Sequence, residues 1–287
     1  MTWYRVGLAC LVSVALVACK EAKQGVLQPQ TPLAGLRYVN LVNDTGAVDF
    51  RIVNFIGDAP SAGAASFRTG GAPNGIATNF LPPHSPVEAG RDVNVRVFMN
   101  GLDPVVSSKV VFDTTISLTQ NVHSTFYLYG SARTVGGVHA YVSTDTLAAP
   151  AGVAFRVINL GGAAVGNRDV DIVSQATVAP LAGTATFANV APGAVTAYTN
   201  IAVSGTLMAV ATAPATRTPF LFQANAPAGV VGTTTVNPVA GTLVAGSAIS
   251  AVIVPASVVG STAPQTAAFL VPAVIFLIDR KPALTAP

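Results

Sequence analysis

Two asparagine–aspartate pairs recur at matching places in this chain: Asn40 with Asp49, and Asn159 with Asp171. Side-chain oxygens of this kind ligate hard cations such as calcium, which takes about six to eight of them. Each pair offers one carboxylate, too few for such a cage. The pairs therefore read as cross-strand hydrogen bonds that fix register. That reading needs residues 36–42 and 48–54 to form a hairpin around 43–46, with Asn40 facing Asp49. Rings are the second candidates. If Gly130 faces Val138, then Tyr127, Tyr129, His139 and Tyr141 share one face of a hairpin. An outward stripe of this kind is a candidate binding face; its alternatives are ordinary cross-strand packing or burial against the second half of the chain. His84, His123 and His139 have no His or Cys neighbour at metal spacing, so no metal site is expected. The Gly-x-Ser-x-Gly, Gly-x-Gly-x-x-Gly and phosphate-loop patterns are missing, and the 12 acidic residues are scattered. Neither catalytic residues nor a cofactor are expected, and the chain reads as not an enzyme.

The strongest chemical candidate is a thiol. Arg5 precedes an apolar run over residues 6–17, which ends in Leu16-Val17-Ala18-Cys19. Charge, a short apolar run and small residues before a cut define a secretory signal. This one resembles a lipoprotein signal, which implies diacylglycerol on the Cys19 sulfur and cleavage after Ala18. A thiolate is the nucleophile in that attachment. Cys10 lies inside the leader, so the mature chain would hold one cysteine and no internal disulfide. The run is too short for a permanent membrane helix, which needs about twenty apolar residues. Lys20 after the cysteine resembles the outer-membrane sorting class. Residues 19–34 are polar and hold Pro29 and Pro32, as a flexible tether would.

The elements behind the tether are strands. Hydrophobic residues make up 51% of the 287 and charged ones only 9%, against about 25% in ordinary soluble domains. A large core is therefore expected under a surface of Thr, Ser, Asn, Gly and Pro. Net charge is +3, and +2 once Arg5 leaves; no run of Lys or Arg exists, so nucleic acid is an unsuitable partner. Alternation over 92–99 places Val93, Val95 and Val97 on one side, and 110–118 does the same with Val110, Phe112, Ile116 and Leu118. The apolar stretch 267–278, broken by Pro272, reads as one or two buried strands.

The chain also repeats itself. Leu36-Arg37-Tyr38-Val39-Asn40-Leu41 matches Phe155-Arg156-Val157-Ile158-Asn159-Leu160, and Val48-Asp49-Phe50 matches Val170-Asp171-Ile172. The offset of about 120 residues is the size of one small domain. The expected plan is all-β: signal 1–18, lipidated tether 19–34, then two tandem sandwiches at 35–149 and 150–287. The Arg-x-x-Asn strand, the Val-Asp-aliphatic strand and the closing run from Val274 through Asp279-Arg280 to Pro282 resemble the bacterial domain of unknown function 4397. That resemblance implies an immunoglobulin-like sandwich and brings no catalytic residues.

The functional expectation is a lipid-anchored cell-envelope protein, acting as a spacer or interaction module toward an envelope protein or glycan. The alternatives are an envelope ligand-binding protein, for a glycan or small molecule, and an accessory subunit of a secreted hydrolase.

Overall fold

Period-two alternation builds the outer sheet of the first half. In β5 (Asp92–Met99) Val93, Val95 and Val97 are buried while Asp92 is exposed. They pair with Ile116, Thr114 and Phe112 of β6 (Val110–Ser117). The connection is tightened by one helical turn, α1 (Pro104–Ser107), which the Asp103 carboxylate caps by accepting from the Val105 N–H at 2.8 Å. With β2 (Val48–Ile52) and β3 (Arg68–Gly71) these strands form a sheet in the order β3-β2-β5-β6.

The facing sheet has the order β4-β1-β7-β8, from β1 (Leu33–Val42), β4 (Ser85–Glu88), β7 (His123–Gly130) and β8 (Val138–Thr144). Its inner pair β1–β7 is parallel and the other pairs are antiparallel. Gly130 faces Val138 at the β7–β8 turn, with φ of 102°. A Cβ there would lie 2.0 Å from the Gly137 carbonyl oxygen, so the turn requires glycine.

The second half repeats the plan. Strands β9 (Ala154–Asn159), β12 (Thr199–Asn200), β14 (Ala248–Val254) and β15 (Ala273–Arg280) form a sheet ordered β12-β9-β14-β15, again with a parallel inner pair, β9–β14. Helix α2 (Gly162–Val165) follows β9, and β10 (Arg168–Val173), β11 (Phe187–Val190) and β13 (Met208–Thr212) form the sheet β11-β10-β13. The protein is all-β, with sandwich-type domains. This computed structural model describes residues 31–54, 68–71, 84–145, 148–173, 183–202, 208–214, 216–217, 244–267 and 269–281. The signal and residues 19–30 of the expected tether lie outside them, and so do Leu16, Val17, Ala18 and Cys19, whereas Leu33 and Ala34, placed in the tether by the sequence, belong to β1.

Three apolar clusters hold the described residues from Leu33 onward in one compact unit. The first fills the first sandwich, where Phe50 stacks on Tyr38 at 4.6 Å and meets Phe126 at 5.3 Å. The second fills the other sandwich around Phe155, Val170, Phe187 and Phe276. The third joins the two: Val39, Leu41 and Tyr127 pack with Ile158, Leu160, Val252, Val254, Ile275 and Leu277. The β1 and β9 sheets are therefore buried on both faces, which is why β9 and β14 are buried along their whole length.

The expected hairpin around residues 43–46 is corrected by this topology. β1 pairs with β4 and β7, whereas β2 pairs with β3 and β5 in the opposite sheet. The segment between them arches from one sheet to the other.

Candidate functional site

The asparagines of the repeat hold that arch. Asn40 Oδ1 accepts from the Val42 N–H at 3.1 Å, and its Nδ2 donates to the Gly46 carbonyl at 3.4 Å. Asn159 does the same with the Gly161 N–H at 3.1 Å and the Gly166 carbonyl at 3.0 Å, and adds the Val190 carbonyl at 2.9 Å. Both asparagines are buried, so their amides satisfy backbone groups that the arch withholds from water. Asp49 accepts from Asn100 at 2.9 Å and Arg51 at 3.3 Å. Asp171 accepts from the Thr186 N–H at 2.8 Å and from Arg217 at 2.5 Å. Among the described residues, no group of three or more His, Cys, Asp or Glu side chains is placed to hold a metal ion.

The ring stripe has the expected register, and of its readings it takes burial against the second half of the chain. Tyr127 faces Tyr141, and Tyr129 faces His139. The face points at the second sandwich: Tyr127 is 0% exposed and packs against Ile158, Leu160 and Val252, with Tyr129 and Tyr141 half-buried beside it. Only His139, at the turn end, is exposed. The stripe turns inward, not outward as a binding face needs, because β7 is an inner strand of a sheet covered on both sides.

Further along the same face lies a charge network that sequence reasoning did not assemble. Residues two apart on a strand share a face, so Arg37 lies with Val39 and Leu41, and Arg156 with Ile158 and Leu160. Register sets Arg37 beside Thr125 and Ser143, with Asp145 two residues beyond Ser143. It sets Arg156 beside Ser250 and Leu277, with Asp279 two residues beyond Leu277. Each half thus contributes one arginine and one aspartate at equivalent positions.

The short contacts are exchanged between the sandwiches. Arg37 of the first sandwich donates to Asp279 of the second at 2.7 Å, and Arg156 of the second donates to Asp145 of the first at 2.7 Å. Within each half the arginine–aspartate distances are longer, 3.4 Å for Arg37–Asp145 and 3.6 Å for Arg156–Asp279. This is the reciprocity of an isologous contact, made here inside one chain. Hydroxyls complete it: Arg37 Nε donates to Thr125 at 2.8 Å and Arg156 Nε to Ser250 at 2.6 Å. Those hydroxyls donate in turn to Asp145 and Asp279. Ser143 donates to Asp145 at 2.6 Å, and the Tyr198 hydroxyl to Asp279 at 2.8 Å. The Arg156 guanidinium also lies 4.7 Å from the centre of the Tyr198 ring. His84 Nε2 sits 3.1 Å from Asp145 Oδ2.

All four charged groups are buried, two of each sign, so the network is neutral as a whole. Burial alone would raise the Asp145 pKa. The His84 hydrogen bond, the Arg37 charge and the Ser143 and Thr125 hydroxyls outweigh it and hold it down at about 2. Burial also pushes the Tyr127 phenol well above its ordinary value, and that of Tyr198 likewise, with Asp279 adding to both.

One signal in the sequence pointed here. Arg37, Arg156 and Asp279 each interrupt an apolar strand in a chain with few charges. A charge in such a strand must be paired or neutralised. Asp145 follows the end of β8 and carries no such mark.

The fold and site together define an all-β chain of two sandwich-type domains, joined by a shared apolar face and a buried, reciprocal ion network. Comparison with protein-family models and with curated proteins finds no match to this chain.

Proposed function

We propose that this chain is a lipid-anchored cell-envelope protein whose paired sandwiches form a non-catalytic spacer or interaction module. The observation that carries the reading of the body is the exchanged Arg37–Asp279 and Arg156–Asp145 pairing. Its charges and hydroxyls are buried between the sandwiches and bonded to one another, which is the use expected of a joint rather than of a reaction centre. The joint holds one domain against the other, so that loops from both are available to a partner. Burial of Tyr127 takes one ring out of the face on which a glycan-binding reading rested. The motif residues behind the likeness to domain 4397, Arg37, Asn40, Arg156 and Asn159, all serve packing or arch formation here, which suits membership of a family without catalytic residues.

The anchor rests on the tetrapeptide Leu16-Val17-Ala18-Cys19 and the polar stretch behind it. Mass spectrometry of native protein from the envelope should find an N-terminal Cys19 carrying thioether-linked diacylglycerol, and Cys19→Ala should leave the membrane fraction. An unmodified N-terminus at Met1 overturns the anchor. For the module, the lipidated protein should recover a specific envelope protein or glycan from solubilised envelope. Recovery of nothing specific overturns the interaction role.

A further inference from the structure

Beside the ion network lies a stacked pair of histidines. The His84 and His123 rings stack with centroids 4.7 Å apart and planes inclined by 19°. His84 is largely buried and contacts Asp145; His123, at the start of β7, is exposed above it. The stack has its own space. Gly35 of β1 stands opposite His123, and a Cβ on it would come within 2.5 Å of His123 Cδ2. Any other residue at 35 would displace the ring.

We infer that His84 and His123 form an acid-sensitive latch on the edge strand β4. His84 directly precedes β4, which is tied to the sheet by pairing with Leu33–Leu36 and by the buried side chain of Val87. The groups facing the rings come from every neighbouring element: Arg37 from β1, Asp145 after β8, and behind them Arg156 from β9 and Asp279 from β15. The Tyr127 and Tyr198 phenols stay neutral. With neutral imidazoles, two arginines balance two aspartates. A proton on His84 adds a third cation, and one on His123 adds a fourth directly against it.

The fold resists the second proton: desolvation, then the His84 ring, then Arg37 lower the His123 pKa, with Asp145 opposing. A base held below its free value of about 6.5 favours the folded state above that pH, and the contribution is lost as pH falls through the folded value. Protons are therefore taken up more readily when β4 has opened, which leaves the first residues of β1 with a free edge.

Hydrogen exchange on the whole protein tests this. From pH 7.5 to 5.0, after correction for intrinsic exchange, protection of a peptide spanning β4 should fall at least about threefold. A peptide spanning β14 and β15 should stay unchanged. His123→Gln should hold β4 protection at pH 5.0 within about twofold of its neutral value, whereas His139→Gln should behave as the parent. Ring resonances of the unaltered protein give a second readout, in which the His123 ring titrates below its free value of about 6.5. Equal loss in β4 and in β14–β15, an unaltered drop in His123→Gln, or titration of the His123 ring at or above that free value each overturns the latch.

Discussion

Replacing Asp279 by alanine removes the acceptor shared by Arg37 at 2.7 Å, Tyr198 at 2.8 Å and Ser250, and the charge that faces Arg156 at 3.6 Å. Two buried guanidinium groups are then left with one carboxylate. Breaking a buried ion pair by removing one partner costs about 3–5 kcal/mol, a large share of the roughly 5–15 kcal/mol by which domains are stable. At a urea slope of about 2–3 kcal/mol per molar, the midpoint should fall by about 1–2.5 M. Far-UV circular dichroism is the suitable probe, since the only tryptophan is Trp3 in the expected leader. The companion variant Arg37→Met with Asp279→Leu removes one charge of each sign and leaves Arg156 paired with Asp145 at 2.7 Å. It should recover most of the loss, because an apolar pair of similar size replaces a buried ion pair at little cost. A midpoint shift below about 0.3 M for Asp279→Ala, or a double variant as unstable as the two single losses added together, would refute the claim that a balanced network joins the sandwiches.

Asn159→Ala should cost on the order of 2–3 kcal/mol by urea titration, because its buried amide serves three backbone groups of the arch, the Gly161 N–H and the Gly166 and Val190 carbonyls. Asp145 is held at about 2 when folded, below its unfolded value of about 3.9, so its contribution is present above about pH 4 and lost as pH falls through about 2. Asp145→Asn should be less stable at pH 7 and show an acid profile flatter by on the order of 2 kcal/mol. At the alkaline end, Tyr127 and Tyr198 are held above their free value. Their contribution is complete below about pH 10 and lost as pH rises toward the folded values. A spectrophotometric titration should show these phenols ionising only as the protein unfolds, and ionisation of every tyrosine near pH 10 in the folded protein would contradict their burial.

The strands themselves were legible in the sequence. Alternation at Val93, Val95 and Val97 marked an outer strand with one wet face, because a two-residue period exposes every second side chain. Pro272 marked the start of β15, where a strand accepts proline. The repeat of Arg37 and Asn40 in Arg156 and Asn159 showed two copies of one plan. The facing of Tyr127 with Tyr141 matches the pairing assumed for Gly130 and Val138.

Sheet membership did not follow from local pattern. Whether residues 43–46 made a hairpin or an arch depended on β7 and β5, which lie far along the chain and pair with β1 and β2 respectively. The tertiary structure also decided that the tyrosine stripe turns inward and that four charges separated by up to 242 residues meet in one buried site. The physical reason is range. Turn chemistry and side-chain alternation act between near neighbours. Burial of a strand's second face is set by whatever packs against it, and in this protein that is the other copy of the same sheet.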